Sequence, residues 1–178
     1  MCGSAPRQAL PGDPSPASAI PYINEVRPDP REGETEVADD RLHLTFFWFG
    51  DFHGLPDALL SRIRPVIGGL ERPSFRILLD RLAFGPRSVL LFPSEPLPAM
   101  TAFHGRMQAA LAQAGVTPPA AWRYRPHMTL LYGRRSEPGR WIDPIGWQAG
   151  ENVLIHSRIG SGRHCVIDRW PLRVPQPA

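Results

Sequence analysis

One short word occurs twice in this chain, and it restricts the fold more than any other feature. Arg41-Leu42-His43-Leu44-Thr45 runs into Phe46-Phe47-Trp48-Phe49-Gly50, and Arg125-Pro126-His127-Met128-Thr129 runs into Leu130-Leu131-Tyr132-Gly133. Both copies read Arg, any residue, His, apolar, Thr, then an apolar run closed by glycine. The histidines lie 84 positions apart (127 − 43). Aromatic and branched residues predict strands over residues 41–49 and 124–132. In a strand, residues i and i+2 share a face. His43 then shares a face with Thr45, and His127 with Thr129, while Leu44, Phe46, Met128 and Leu130 pack behind. An internal duplication is implied, each half lending one strand to a common site.

The intervening sequence predicts an α+β class. Residues 1–19, punctuated by Pro6, Pro11, Pro14 and Pro16, read as a disordered lead-in to the folded region over 20–174. Ile20–Val26 suits a short first strand, and 27–40 a loop with at most a turn of helix. Residues 55–67 read as a helix that Pro65 should kink or end. Extended runs follow at 75–84 and Ser88–Phe92 around a Gly85-Pro86 turn. Residues 98–114 form the clearest helix, with Met100, Phe103, Met107 and Leu111 on one face and Gly115 as its cap. Closing strands are expected at 152–156 and 164–169.

Composition narrows the chemistry. The 178 residues are 42% hydrophobic, which suits one domain or two small lobes. All 20 basic residues are arginine. Without lysine there is no P-loop, no Schiff base and no lysyl-adenylate. The net charge of +3 is compatible with RNA without the dense basic stripe of a duplex binder. No apolar run is long enough for a membrane span, and the N-terminus lacks the apolar core of a signal peptide, so a cytoplasmic protein is expected. Cys2 and Cys165 form no Cys-x-x-Cys pair. No metal-type spacing links His156 and His164 with the motif pair His43 and His127, and His53 and His104 are merely extra histidines, so neither metal nor cofactor is expected.

Two imidazoles facing one phosphate can divide the proton transfers, one accepting from water and the other donating to the leaving oxygen. Threonine hydroxyls beside them can donate hydrogen bonds to the phosphoryl oxygens. A strained five-membered cyclic phosphate needs no metal for this. Phe47 and Phe49 fall on the His43 face, where they either stack a nucleobase or pack between sheet and helix. Trp122, Trp141, Trp147 and Trp170 read as core or lobe-interface residues, and His104 as a surface or boundary residue of its helix. Asp39-Asp40 either orients Arg41 or is solvated.

On Arg41–Thr45 and Arg125–Tyr132, with a weaker echo in Leu154-Ile155-His156-Ser157 and Arg169-Trp170-Pro171-Leu172, the sequence resembles the two-histidine phosphoesterase superfamily. Within it, the likeness is to the bacterial RNA 2′,3′-cyclic phosphodiesterase family, also called 2′,5′ RNA ligase, over roughly residues 22–172. The resemblance implies a two-lobed α+β fold: a pseudo-twofold pair of antiparallel sheets with outer helices and a central cleft carrying both motifs. It implies that His43 and His127 are catalytic and that Thr45 and Thr129 hold the phosphate. The implied activity is metal-independent opening of a 2′,3′-cyclic phosphate, on RNA 3′ ends or nucleotides, to a 2′-phosphomonoester. Reversible 2′,5′ ligation comes with it; separately, a monomer is expected. Two departures stand out. The helix that relatives carry before the first motif has only residues 29–40 to occupy. Tyr132 also stands where relatives often have an arginine, leaving Tyr132 itself and Arg134 or Arg135 to contact phosphate. The residues leave open another cyclic or 2′,5′-linked nucleotide, an ADP-ribose cyclic phosphate, or an RNA- or nucleotide-binding module with little turnover.

Overall fold

The computed structural model describes residues 16–158 and 163–173. The chain divides into two compact units, each assembled from three separate stretches. The first takes Met1–Thr45, Arg76–Leu97 and Arg125–Gln148; the second takes Phe46–Phe75, Pro98–Tyr124 and Ala149–Ala178. The chain therefore passes from one unit to the other at Thr45/Phe46 and at Tyr124/Arg125, beside each copy of the motif. The α+β expectation with antiparallel sheets holds.

The first unit is built on a five-stranded antiparallel sheet in the order β1-β4-β3-β2-β5. Its strands are β1 (Thr35–Glu36), β2 (Arg76–Phe84), β3 (Ser88–Phe92), β4 (Met128–Tyr132) and β5 (Arg140–Gln148). Leu79, Leu82, Val89, Leu91, Met128 and Leu131 are buried on it. The second unit carries helix α2 (Asp57–Gly69), helix α3 (Pro98–Gln113) and a hairpin of β6 (Glu151–Arg158) and β7 (Arg163–Pro171). No described helix is long and apolar enough to cross a membrane.

Several expectations need correction. Ile20–Val26 is not a strand but helix α1, with Ile23 buried. A helix therefore does precede the first motif, N-terminal of the segment where the family comparison sought it. Pro16–Ala19, assigned to the disordered tail, forms a 3₁₀ turn with Ala19 buried, while residues 1–15 and 174 lie outside the described residues. Strand β5 escapes the sequence pattern because Pro144 and Gly146 interrupt it. It is an edge strand, where a proline's missing N–H costs no ladder bond. Pro65 does not end α2, which runs four residues further to Gly69. Burying Leu60, Ile63 and Ile67 on one face outweighs the single backbone bond that proline removes. Arg72 donates to the carbonyls of Ile67 (3.0 Å) and Gly68 (2.7 Å), a cation at the helix C-terminus. Gly115 caps α3 as expected, at φ +68°.

The aromatic residues sort by environment. In the second unit Phe46 packs against Phe75, Phe103, His104 and Tyr124. Phe47 stacks on His104 (4.8 Å) and on Trp122 (5.6 Å), which settles its role as packing. His104 is buried rather than a surface or boundary residue, stacked on Tyr124 at 3.7 Å. Burial lowers its pKa and raises that of Tyr124 to about 12, so both stay neutral near pH 7. Trp147 is core, whereas Trp141 is 64% exposed, against expectation.

The loop after β4 turns on a buried ion pair. Arg135 donates from Nε and Nη2 to the two carboxylate oxygens of Glu34 (2.8 and 2.6 Å), and from Nη2 to the Asp29 carbonyl (2.6 Å). Their side chains are 2% and 5% exposed. Gly133 lies against the same glutamate at φ +149°, and a Cβ there would stand 2.5 Å from Glu34 Cγ. The Arg135 hydrogen bond, chiefly, holds the Glu34 carboxyl down at about 2. A depressed carboxylate contributes stability that is complete above its ordinary value of 4.5 and is lost as pH falls toward 2. Glu34→Gln should therefore lower stability at neutral pH, by a gap to wild type that narrows as pH falls through that window. Urea denaturation across pH 2–7 measures it; a gap independent of pH would contradict the assignment.

Candidate functional site

The site begins with the way one chain segment runs along the free edge of β4. Thr35 and Glu36 pair with Tyr132 and Leu131, and the Val37 N–H donates to the Leu130 carbonyl (3.0 Å). The chain then leaves the edge for a 3₁₀ turn at Asp39–Arg41 and returns to make one antiparallel bridge, Leu44 to Met128. This corrects the strand expected over residues 41–49: the first copy touches the sheet at one residue. Likewise the second copy enters β4 only at Met128, with His127 just ahead of it.

That single bridge fixes the register of the two motifs. With Leu44 opposite Met128, continuing the antiparallel register by one residue each way sets His43 opposite Thr129 and Thr45 opposite His127. The four polar side chains alternate around one square on one face, as the period-two reading required. Opposed residues in such a pair stand about 4.5–5.5 Å apart and diagonal ones about 7–8 Å. The two imidazoles occupy one diagonal and the two hydroxyls the other. All four residues are partly exposed.

Both rings are held in the same way. Nδ1 of His43 lies 2.7 Å from the Arg41 carbonyl, and Nδ1 of His127 lies 2.7 Å from the Arg125 carbonyl. A carbonyl only accepts, so each Nδ1 carries the proton and the neutral ring keeps Nε2 as its base. The 3₁₀ turn that supplies the Arg41 carbonyl is braced from α1. Asn24 donates to Asp39 (3.0 Å), as does Arg27 (2.9 Å), which also pairs with Glu36. The Asn24 hydrogen bond, followed by that of Arg27, lowers the Asp39 pKa. Asp39 is thus a structural anchor, held by Asn24 and Arg27 although its carboxylate is exposed. Nothing in the sequence pattern singles out Asn24 or Arg27, because their partners are set by the turn.

The register shift between Val89 and Leu90 inserts an extra residue into β4 at Leu130. Past it, Leu131 pairs with Val89 and Tyr132 with Ser88, so Tyr132 returns to the Thr129 face. It is 49% exposed, three residues beyond Thr129, or about 10 Å at strand rise. Arg134 is exposed beyond the strand end. Arg135, the other candidate for the family arginine, is committed to Glu34. Each glycine that closes a motif has positive φ, +114° at Gly50 and +149° at Gly133, which ends the extended run.

The remaining histidines do not gather into a ligand set. His156 pairs with Cys165 and His164 with Ser157, which puts the two histidines on opposite faces of the hairpin. Among the described residues no group of three or more His, Cys, Asp or Glu side chains converges. Cys165 is free and exposed, and Cys2 lies outside the described residues.

A family model described as the 2′-5′ RNA ligase superfamily matches residues 13–149. The fold is similar to that of E. coli LigT complexed with 3′-AMP, at a TM-score of 0.71 and 23% identity over 88% of this chain and 92% of that one. E. coli LigT in apo form gives 0.70 and 24% over the same shares. TT0787 of Thermus thermophilus gives 0.65 and 18% over 90% and 92%. No curated protein matches the sequence.

Both histidines should display the Nδ1–H tautomer when neutral. Long-range proton–nitrogen NMR of the imidazoles at alkaline pH reads this directly, and an Nε2–H signature at either ring would break the symmetry of the site.

Proposed function

The chain belongs to the 2′-5′ RNA ligase superfamily, and from that membership together with the His–Thr square we propose that it opens a 2′,3′-cyclic phosphate to a 2′-phosphomonoester without a metal ion. The observation that carries the proposal is the Leu44–Met128 bridge, which sets the two histidines on one diagonal and the two threonines on the other. One Nε2 takes a proton from water as the water oxygen attacks phosphorus. The bond from phosphorus to O3′ breaks, and O3′ takes a proton from the other imidazolium. Thr45 and Thr129 donate hydrogen bonds to the non-bridging oxygens, where charge accumulates. Tyr132 and Arg134, further along the same strand and beyond its end, are outer contacts for a longer ligand. The substrate is an RNA 3′ end or a cyclic nucleotide, and the same attack by a 5′-hydroxyl in place of water, with O3′ again leaving, would join two ends through a reversible 2′,5′ linkage.

His43→Ala and His127→Ala should each lower kcat on 2′,3′-cyclic mononucleotides by about 10²–10⁴-fold with little change in Tm, since each removes one proton transfer. Thr45→Val and Thr129→Val should lower it less, each removing one hydrogen bond. A fully active single histidine variant would overturn the mechanism. No turnover by the wild type on any cyclic nucleotide would favour a binding module of the same fold.

Because one imidazole must be neutral and the other charged, the rate should pass through a maximum as pH is varied and fall on either side of it. EDTA should leave it unchanged, and chromatography should find the 2′-monophosphate. Activity lost to chelation and restored by Zn²⁺ or Mn²⁺ would make the metal-free mechanism wrong. A 3′-monophosphate product would place the reaction on the other bond.

A further inference from the structure

The face that carries the histidines continues across the sheet, and its residues are not those of an ordinary solvated surface. Ladder registers define a row. His127 immediately precedes Met128 and Phe92 immediately follows Leu91, the last paired residues of β4 and β3, so continuing that ladder by one residue sets His127 opposite Phe92. Phe92 pairs with Arg81 of β2, and Arg81 pairs with Trp141 of β5. Cross-strand partners share a face, so Thr45, His127, Phe92, Arg81 and Trp141 follow one another from strand to strand.

Three observations mark the far part of this row as built for a ligand. The Arg81 guanidinium carbon sits 4.2 Å from the Trp141 ring centroid and 5.9 Å from that of Phe92, a cation held between two aromatic side chains. Among the described residues no side chain forms an ion pair with Arg81, and its buried Nε has no hydrogen-bond partner. Trp141 is 64% exposed, the most exposed of the large hydrophobic residues on the described surface. An unpaired arginine edged by an open indole is the combination that single-stranded nucleic acid uses, a cation for phosphate and a ring for a base.

We propose that Phe92, Arg81 and Trp141 form a subsite for the nucleotide that precedes the reacting one, so that the substrate is an RNA end and not a free cyclic mononucleotide. The inference rests on the reading of His43 and His127 as the reacting pair. At about 4.8 Å per strand, Trp141 lies three strands, or roughly 14 Å, from His127. Phe92 is adjacent to the reacting phosphate and within reach of the terminal nucleoside. Arg81, one strand further, meets the phosphodiester on its 5′ side, and Trp141 stacks the base beyond.

The test compares a 2′,3′-cyclic mononucleotide with an RNA trinucleotide ending in a 2′,3′-cyclic phosphate, on the full chain. Wild type should show a lower KM for the trinucleotide at similar kcat. Trp141→Ala should raise the trinucleotide KM about tenfold, leave the mononucleotide constants within about twofold, and be rescued by Trp141→Tyr. Arg81→Gln should raise the same KM and reduce the salt slope of trinucleotide binding by about 0.7, the share of one phosphate contact on a single strand. Equal effects on both substrates, or none on either, would overturn the subsite. Binding of a trinucleotide 3′-phosphate, read by tryptophan fluorescence, separates the two hypotheses. Wild type that binds it through Trp141 and Arg81 but hydrolyses neither cyclic substrate keeps the subsite and rejects the catalytic reading. Turnover of both substrates with no trinucleotide preference does the reverse.

Discussion

The edge of β4 holds two separate stretches of one chain, and the site exists because both are in register with it. Residues 35–37 pair at one end and Leu44 at the other, with the Asp39–Arg41 turn looped out between them. Seven positions separate Val37 from Leu44 while their partners, Leu130 and Met128, are two apart, so the excess chain must leave the sheet. The brace from Asn24 and Arg27 gives that excess a defined path. Loss of the brace would free the carbonyl that orients His43, and loss of Arg27 would also remove its ion pair to Glu36 of β1.

Arginine 135 illustrates a division of labour among cations. The position after the second motif has two arginines, and the fold uses one of them for itself. A buried, doubly hydrogen-bonded guanidinium–carboxylate pair is costly to break from one side, because the remaining charge stays desolvated. That pair, with Gly133 pressed against Glu34, closes the end of β4. Arg134 is left exposed, and Arg81 keeps no carboxylate partner among the described residues.

What can be read from the residues follows the range of the interactions. The alternation of His43 with Leu44 and of His127 with Met128 is legible because pleating is local, and the sheet respects it. Helix α3 is legible from its apolar stripe and its glycine. Strand β5 is hidden by Pro144, whose tolerance depends on being at an edge, a fact of topology. Helix α1 reads as a strand because seven residues starting Ile-Pro-Tyr carry little periodicity. The single-residue contact of the first motif depends on the looped turn, and that turn depends on Arg27. Trp141 reads as a core or lobe-interface residue because tryptophan usually is buried; its exposure follows from its pairing with Arg81 on the open face.

The chain passes between its two units five times, at 45/46, 75/76, 97/98, 124/125 and 148/149. No single cut in the polypeptide can release either unit intact, although each has its own core. A gene fragment ending after α3 would contain β1, β2 and β3 but not β4, and so would lack the strand against which both its edge segment and β3 pair.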